Sequence, residues 1–389
     1  MLSITRRKQC HASTCITRDD IMKIFFWTDG FWPRLGGIET QGFHFINNLQ
    51  KKGHQCMVMA QKDEPDWKAD EVHEGIAIKR FDFNTLITYK NLEIMHDIHQ
   101  YLEWIITTFQ PDIIHLNTVA GGSAFAFLLC REKFQVPIVL TAHAPYLRDN
   151  KLSPFITKIA LSVDKICCVS RWVLQELAMH LPQIKPKLKL IYNGLPMPNT
   201  IPKPLSFSEP ILLLAGRLSW EKGFDTAIHA FSLLKKSGSN AQLMIVGMGP
   251  ERLNLEKLVN SLALTHAVTF TGALSNAELQ VIFNQATMVI APSILESFGL
   301  VILESMQLQR PVIASHVQGV PELVCDGETG ILVPEKNAVA IYQAIRELLN
   351  QPERAINMGL AGRKRAAQFT LDQNISQYEM LYETLQVPT

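Results

Sequence analysis

GLPMPNTIPKPLSFSEPILLLAGRLSWEKGFD, residues 194–225, divides the chain into two halves. Its opening part carries Pro196, Pro198, Pro202, Pro204 and Pro210. Each proline lacks a donor and fixes φ, so neither a helix nor a central strand fits there. A semi-rigid linker is expected. The closing part, ILLLAGRL, has the continuous apolar character of a strand buried on both faces.

Upstream, from Met22, short apolar runs alternate with helical patterns. MKIFFWTD, QCMVMA, IAIKRF, DIIHLN, PIVLTA, KICCVS and KLKLIY read as buried strands. Between them, residues 91–109 place Leu92, Met95, Ile98, Leu102, Ile105, Ile106 and Phe109 at helical spacing. Downstream the alternation restarts with ILLLAGRL, QLMIVGMG, VTFTG, MVIAPS, PVIASH and GILVP. The tail from Thr370 to Leu385 has Leu371, Ile375, Tyr378, Leu381, Tyr382 and Leu385 on one face, with no strand after it. Such alternation implies an α/β fold of two Rossmann-like domains with parallel sheets and right-handed crossovers. Open parallel sheets bind ligands at the carboxyl ends of their strands, so sheets that face each other would line a central cleft.

At 389 residues, two domains are the default expectation. The formal net charge is +1, from 37 basic and 36 acidic side chains, which argues against a nucleic-acid binder. Seven cysteines include no C-x-x-C pair, and Cys167 and Cys168 sit side by side in a strand. They suit opposite faces of a buried strand better than a zinc site or a disulfide framework, and reduced thiols fit a cytoplasmic protein. No apolar run approaches the ~20 residues that span a bilayer. Residues 1–21 lack the apolar core of a secretory signal and read as a disordered leader, or as a start placed too early before Met22.

Chemistry is sought at strand ends. ILESFGLVILE, residues 294–304, follows MVIAPS and leads into an apolar helical stretch. Glu296 is expected on the loop and Glu304 about a turn inside the helix, with Ser297, Phe298, Gly299 and Leu300 as its first residues. Free N–H groups there would form an anion site. The carboxylates beside it suit hydroxyl groups of a sugar and a ribose, or are capping and surface glutamates. GRLSWEKGFD, residues 216–225, puts Arg217 at a strand end and Lys222 near a helix start. Two cations so placed complement a departing diphosphate. An ordinary surface pair of Lys222 with Glu221 or Asp225 explains the residues as well. Gly36 and Gly37, in FWPRLGGIE, either cradle a phosphate or make a turn. The dinucleotide fingerprint G-x-G-x-x-G is absent. His143, in TAHAPY, ends a first-half strand as a structural or cleft-facing histidine. No D-x-D, H-E-x-x-H, G-x-S-x-G or P-loop occurs, and no metal ligands are assigned.

Together these segments resemble the retaining glycosyltransferases of family 4, also called group 1, which have the GT-B fold. The resemblance runs from about Met22 to the C-terminus and is sharpest over 211–334. It rests on the E-x7-E pattern of Glu296 and Glu304, on GRLSWEKG, GGIE and YNGLP, and on HVQGVPELVCDGETGILVP at 316–334. It implies that Arg217 and Lys222 bind the donor diphosphate and that Glu296 holds sugar hydroxyls. Phe298, Gly299 and Leu300 would offer backbone N–H groups beside it. Glu304 would bind the ribose, Gly37 would meet the diphosphate from the opposite domain, and His143 would lie near the donor sugar. The tail helix would cross back onto the first domain. The organisation is then a leader at 1–21, a first domain of 22–198 plus 371–389, a linker at 199–210 and a donor domain at 211–370. One departure stands at the family's GGVPE step, where this chain has Gln318-Gly319-Val320-Pro321-Glu322.

The implied activity is transfer of a hexose from a UDP- or GDP-linked sugar to an acceptor, with retention, without a metal or a further cofactor. A nucleotide-sugar epimerase of similar architecture, or a non-catalytic nucleotide-sugar sensor, are the competing readings. The acceptor is a glycan, a lipid or a small molecule. A lipid would suit the apolar, basic patch around Lys151, Phe155 and Lys158 and a peripheral position on the inner face of a membrane, although a solvated helix face explains those residues equally.

Overall fold

The computed structural model describes residues 21–34, 36–89, 91–145, 147–148 and 151–386. Most of the leader, with Cys10 and Cys15, lies outside the described residues, as does the side chain of Lys151. In chain order the strands are β1 (Lys23–Thr28), β2 (Gln55–Gln61), β3 (Asp70–His73), β4 (Ile76–Phe81), β5 (Ile113–Thr118) and β6 (Ile138–Ala142). A small hairpin, β7 (Leu147–Arg148) and β8 (Lys151–Leu152), precedes β9 (Lys165–Cys168) and β10 (Leu188–Leu190). The second half contributes β11 (Ile211–Ala215), β12 (Gln242–Val246), β13 (Val268–Gly272), β14 (Met288–Ala291), β15 (Val312–Ser315) and β16 (Ile331–Val333).

The first sheet runs β10-β9-β6-β5-β1-β2-β4-β3 and the second β13-β12-β11-β14-β15-β16. The second is the doubly wound order 3-2-1-4-5-6, whose direction reverses between β11 and β14; the first reverses between β1 and β5. These two switch points are where each domain presents its loops to a ligand. All pairings in both sheets are parallel save β3 with β4. That antiparallel edge strand reads DEVH, with Val72 exposed, and carries no apolar run that would announce it.

Alternation within a strand explains the adjacent cysteines. Cys167 packs with Ile24, Val58 and Tyr378 in one core, and Cys168 with Leu116, Leu140 and Leu177 in the other. Both are free and buried. The helical stretch after residue 91 forms as Leu92–Trp104 and continues as a π turn, Ile105–Phe109. Ile98, Leu102 and Ile105 are buried, but Leu92 stands exposed in the first turn, contrary to its place in the expected apolar face.

The last helix, Leu371–Gln386, returns to the first domain and packs on the helix Gly37–Lys51. It brings polar groups into a dry interface, where the Tyr378 and Tyr382 hydroxyls find partners while Asn374 Oδ1 has none. His115 Nδ1 meets the Tyr382 hydroxyl at 2.6 Å, His115 Nε2 meets Thr141 Oγ1 at 2.7 Å, and Thr141 Oγ1 meets the Tyr378 hydroxyl at 2.6 Å. Burial pushes the His115 pKa down to about 3, so the ring is neutral.

The proline-rich connection has no regular elements, yet it is anchored. Leu205 and Phe207 pack on the second core, Lys203 N–H donates to Asn284 Oδ1 at 2.8 Å, and Thr287 Oγ1 donates to the Ser206 carbonyl at 2.7 Å. The chain passes between domains beside Leu195, whose N–H donates to the Phe369 carbonyl and whose carbonyl accepts from Leu371 N–H. Apolar packing is continuous through this crossing by way of Leu195, Phe298 and Phe369.

Candidate active site

The loop after β11 turns through a short 3-10 segment, Trp220–Lys222, and the loop after β14 leans on it: Ile294 N–H donates to the Glu221 carbonyl at 2.7 Å. This contact joins the two sides of the second switch point. Across it, Lys222 Nζ lies 2.6 Å from Glu296 Oε2, with both side chains mostly shielded from water. Lys222 therefore pairs with Glu296, not with Glu221 or Asp225; the Glu221 carboxylate accepts instead from Ser219 Oγ at 2.5 Å. Ser293 Oγ also approaches Glu296 Oε2, at 3.3 Å.

The main chain of Glu296 is fixed from the other side. Its N–H donates to Gln318 Oε1 at 2.7 Å, and its carbonyl accepts from Gly319 N–H at 3.2 Å. Gln318 is thus the structural meaning of the departure from GGVPE. Its φ of 45° lies in the left-handed region that a glycine adopts freely. The glutamine bears strain on the order of 1–2 kcal/mol, and its side chain supplies a hydrogen bond that glycine has no atoms to make.

The helix expected from Ser297 begins three residues later. It spans Leu300–Gln307 with Gly299 as N-cap at φ 98°. Ser297 and Phe298 stay in the loop, because Phe298 is drawn into an aromatic cluster with Tyr192 and Phe369 at ring separations of 6.2 and 5.8 Å. Leu300 heads the helix, and the glycine loop of the first domain abuts it: a Cβ on Gly37 would lie 3.1 Å from Leu300 Cδ1. The Gly36–Gly37 turn opens the helix Gly37–Lys51. There the carboxylate of Glu39 lies so close that a Cβ on Gly36 would meet Oε2 at 2.2 Å, and Arg34 Nε neutralises it at 3.1 Å.

Glu304 sits one turn deeper along the helix, about 6 Å in rise. It lines a small solvent-open hollow with Thr40 and His44 of the first domain, Leu195, Gln280 and Gln307. Burial pushes its carboxyl pKa up to about 7. Burial, and then the Lys51 charge, hold His44 below its ordinary value. Both groups lining this crevice are tilted toward their neutral forms.

Arg217 is exposed just after β11, and among the described residues no ion pair engages it. His143 belongs to a different arrangement, at the strand ends of the first domain. Its Nε2 lies 2.9 Å from Asn117 Oδ1, and Asn117 Nδ2 reaches Thr28 Oγ1 at 3.4 Å. Burial pushes the His143 pKa down to about 4, which makes it a neutral hydrogen-bonding group and not a proton donor near pH 7. The site therefore joins Lys222 directly to Glu296, sets Gly37 against Leu300 and places Glu304 on the same helix. No hydrogen bond or ion pair among the described residues links Arg217 or His143 to them.

Gln318, beside Glu296, and Asp29, at a strand end, escaped the sequence reading. Gln318 looked like a mere deviation. Asp29, which follows β1 at the first switch point, has a pKa raised to about 7, chiefly by burial and against hydrogen bonds from Ser123 and Ala120. The rule that chemistry sits at strand ends would have found it.

A family profile described as Glycosyl transferases group 1 matches residues 199–365, and one described as Glycosyltransferase Family 4 matches residues 35–197. An uncharacterised glycosyltransferase of Methanocaldococcus jannaschii is 31% identical across 85% of this chain and 89% of its own length. The chain belongs to the family 4, or group 1, glycosyltransferases.

This family 4 glycosyltransferase also has a stretch of 144 residues that is 40% identical to the alpha-D-kanosaminyltransferase of Streptomyces kanamyceticus, covering 37% of either chain. Its fold is that of sucrose-phosphate synthase from Thermosynechococcus elongatus, with a TM-score of 0.78 at 24% identity over 94% of this chain and 99% of that one. Anabaena HepE, solved with UDP and glucose, gives a TM-score of 0.75 at 19% identity over 94% and 100%. The GT-B arrangement of two Rossmann-like domains expected from the sequence is thus the fold of this glycosyltransferase. No described helix is long and apolar enough to cross a membrane.

Proposed function

We propose that the protein transfers a hexose from a UDP- or GDP-linked sugar to an acceptor, with retention of anomeric configuration and without a metal or further cofactor. The observation that carries this reading is the Lys222–Glu296 pair at the second switch point, beside a helix N-terminus that the opposite domain's Gly37 abuts. Lys222 and the exposed Arg217 supply positive charge to the diphosphate as it leaves. Glu296 exchanges part of its contact with Lys222 for sugar hydroxyls, and the N–H groups of Phe298, Gly299 and Leu300 stand beside it. Glu304 accepts hydrogen bonds from the ribose, and Gly36 and Gly37 close on the diphosphate from the first domain. His143, neutral and fixed by Asn117, hydrogen-bonds a hydroxyl of the donor sugar. The leaving phosphate, held on one face of the sugar, takes the acceptor's proton there, which keeps the anomeric configuration.

The ligands in the HepE structure, UDP and glucose, support a UDP-hexose as the first donor to try. The test is incubation of the full chain with a panel of UDP- and GDP-hexoses, reading nucleoside diphosphate release and the anomeric configuration of product, with and without chelator. Arg217→Ala should lower turnover by ~10²–10³-fold with the fold intact. Full activity of that variant, or absence of both binding and turnover across the panel, would falsify the assignment.

A further inference from the structure

Glu322 joins the two domains at a place where its charge has a defined use. It lies in the short helix Val320–Leu323 of the second domain, yet its carboxylate reaches the start of the first domain's helix Arg171–His180. Oε2 accepts the Arg171 N–H at 2.8 Å, Oε1 accepts the Trp172 N–H at 2.9 Å, and the Tyr192 hydroxyl donates to Oε2 at 2.9 Å. The first N–H groups of a helix have no partners within it and carry the positive end of its dipole. Here Ser170 Oγ caps Val173 N–H at 3.2 Å, and an anion from across the cleft satisfies the two N–H groups ahead of it. Hydrogen bonds to an ionised acceptor are stronger than neutral ones.

The peptide that carries Glu322 is braced. Arg365 Nη2 donates to the Glu322 carbonyl at 2.6 Å, and Arg365 Nε to the Leu323 carbonyl at 2.5 Å. Toward the N-terminus the same turn reaches Glu296 through Gln318 and Gly319. Gly319 leaves no room for a side chain: a Cβ would stand 2.0 Å from the Ser297 carbonyl oxygen and 3.2 Å from Ser170 Cβ. Residues 318–322 therefore form a short strut with Glu296 at one end and the first domain at the other.

We propose that Glu322 is a positioning residue that sets the angle between the domains and, through the 318–322 strut, the placement of Glu296 opposite the first domain. The link to donor binding rests on the function proposed above; the link to domain geometry does not. The test therefore reads both. Small-angle scattering of the full chain, without ligand, compares wild type with Glu322→Ala, Glu322→Gln and Tyr192→Phe, alongside UDP titration and thermal unfolding. Glu322→Ala is expected to enlarge the radius of gyration and weaken UDP binding by about 2- to 30-fold, the range equivalent to loss of a helix cap. Glu322→Gln keeps one acceptor and falls between, and Tyr192→Phe, which retains both helix contacts, shows the smallest change. If Glu322→Ala fails to fold, Glu322→Gln and Tyr192→Phe decide by the same ordering. Wild-type scattering in variants that only unfold earlier would overturn the proposal. Absence of UDP binding by the wild type would move the titration to GDP, and absence of both would sink the proposed function while leaving the scattering comparison to judge Glu322.

Discussion

The two switch points share a topology and differ in electrostatics. At the carboxyl ends of β11 and β14 the second domain places Arg217, Lys222 and Glu296, with Glu304 one turn along the helix that follows. At the ends of β1, β5 and β6 the first domain places Thr28, Asn117 and His143, joined by hydrogen bonds among neutral groups. The same core sheet order thus frames a floor of cations and carboxylates on one side and, on the other, a floor of neutral hydrogen-bonding groups beside Asp29, whose pKa burial raises to about 7. A diphosphate needs positive charge where it leaves, whereas hydroxyl groups need only well-placed donors and acceptors. On the function proposed above, the division of labour between the domains follows from which side chains end their central strands.

Removing the charge on the second floor should have the largest effect. Lys222→Ala deletes a cation and leaves Glu296 without its 2.6 Å partner. Turnover should fall by ~10²–10³-fold, equivalent to about 2.7–4 kcal/mol of transition-state stabilisation. Lys222→Arg should recover part of it, since a guanidinium keeps the charge. Steady-state kinetics on both variants check this. Equal rates for Lys222→Ala and wild type would mean that the pair is a structural ion pair.

The contrast also predicts opposite responses to acid. His115 and His143 have folded pKa values near 3 and 4, below the ordinary value of 6.5. The unfolded chain takes up protons that the folded one refuses, so each costs stability as pH falls below 6.5, about 1.4 kcal/mol per unit. Asp29, raised to about 7 from 3.8, works the other way and offsets one of them. For these three groups a net loss of about 1.4 kcal/mol per unit remains between pH 6.5 and 4, and His44 and His99, both held below their ordinary value, add to it. Glu304, raised to about 7 from 4.5, takes up its proton more readily when folded, so the second domain gains stability from pH 7 toward 4.5. Hydrogen exchange at pH 7.5 and 5.5, resolved by peptide, should show first-domain strands losing protection while the Leu300–Gln307 helix holds or gains. Glu304→Gln should flatten the second-domain response. The same slope in both domains would remove the electrostatic distinction drawn here.

The buried parallel strands were legible because an interior strand must be apolar on both faces, and a run such as ILLLAG is hard to place otherwise. Cys167 and Cys168 even declared their opposite faces. The site was legible in part: loop position put Glu296 ahead of a helix and Glu304 inside it. What stayed hidden depends on partners far away in the chain. Phe298 was expected in the helix and is held in the loop by Tyr192 and Phe369. Glu322 had been only a letter in a motif until Arg171 and Trp172, 151 and 150 residues distant, came beside it. Strand β3 gave no warning, because an exposed edge needs no apolar pattern.

The smallest effect should come from the residue that departs from the family. Gln318→Gly relieves a left-handed φ of 45° but removes the acceptor for Glu296 N–H. Relief of ~1–2 kcal/mol is offset by the unfolded-state entropy of glycine, ~0.5–1 kcal/mol, and by a hydrogen bond of ~0.5–1.5 kcal/mol. The melting temperature should therefore move by less than about 3 °C. Donor kcat/KM should still fall by about 2- to 10-fold, because the lost bond orients Glu296. Gln318→Ala keeps the strained backbone and also loses the bond, so it should melt below the glycine variant at a similar rate. A glycine variant with wild-type kcat/KM would show that the 318 side chain leaves Glu296 unaffected, and that the second floor is organised by the Lys222 pair alone.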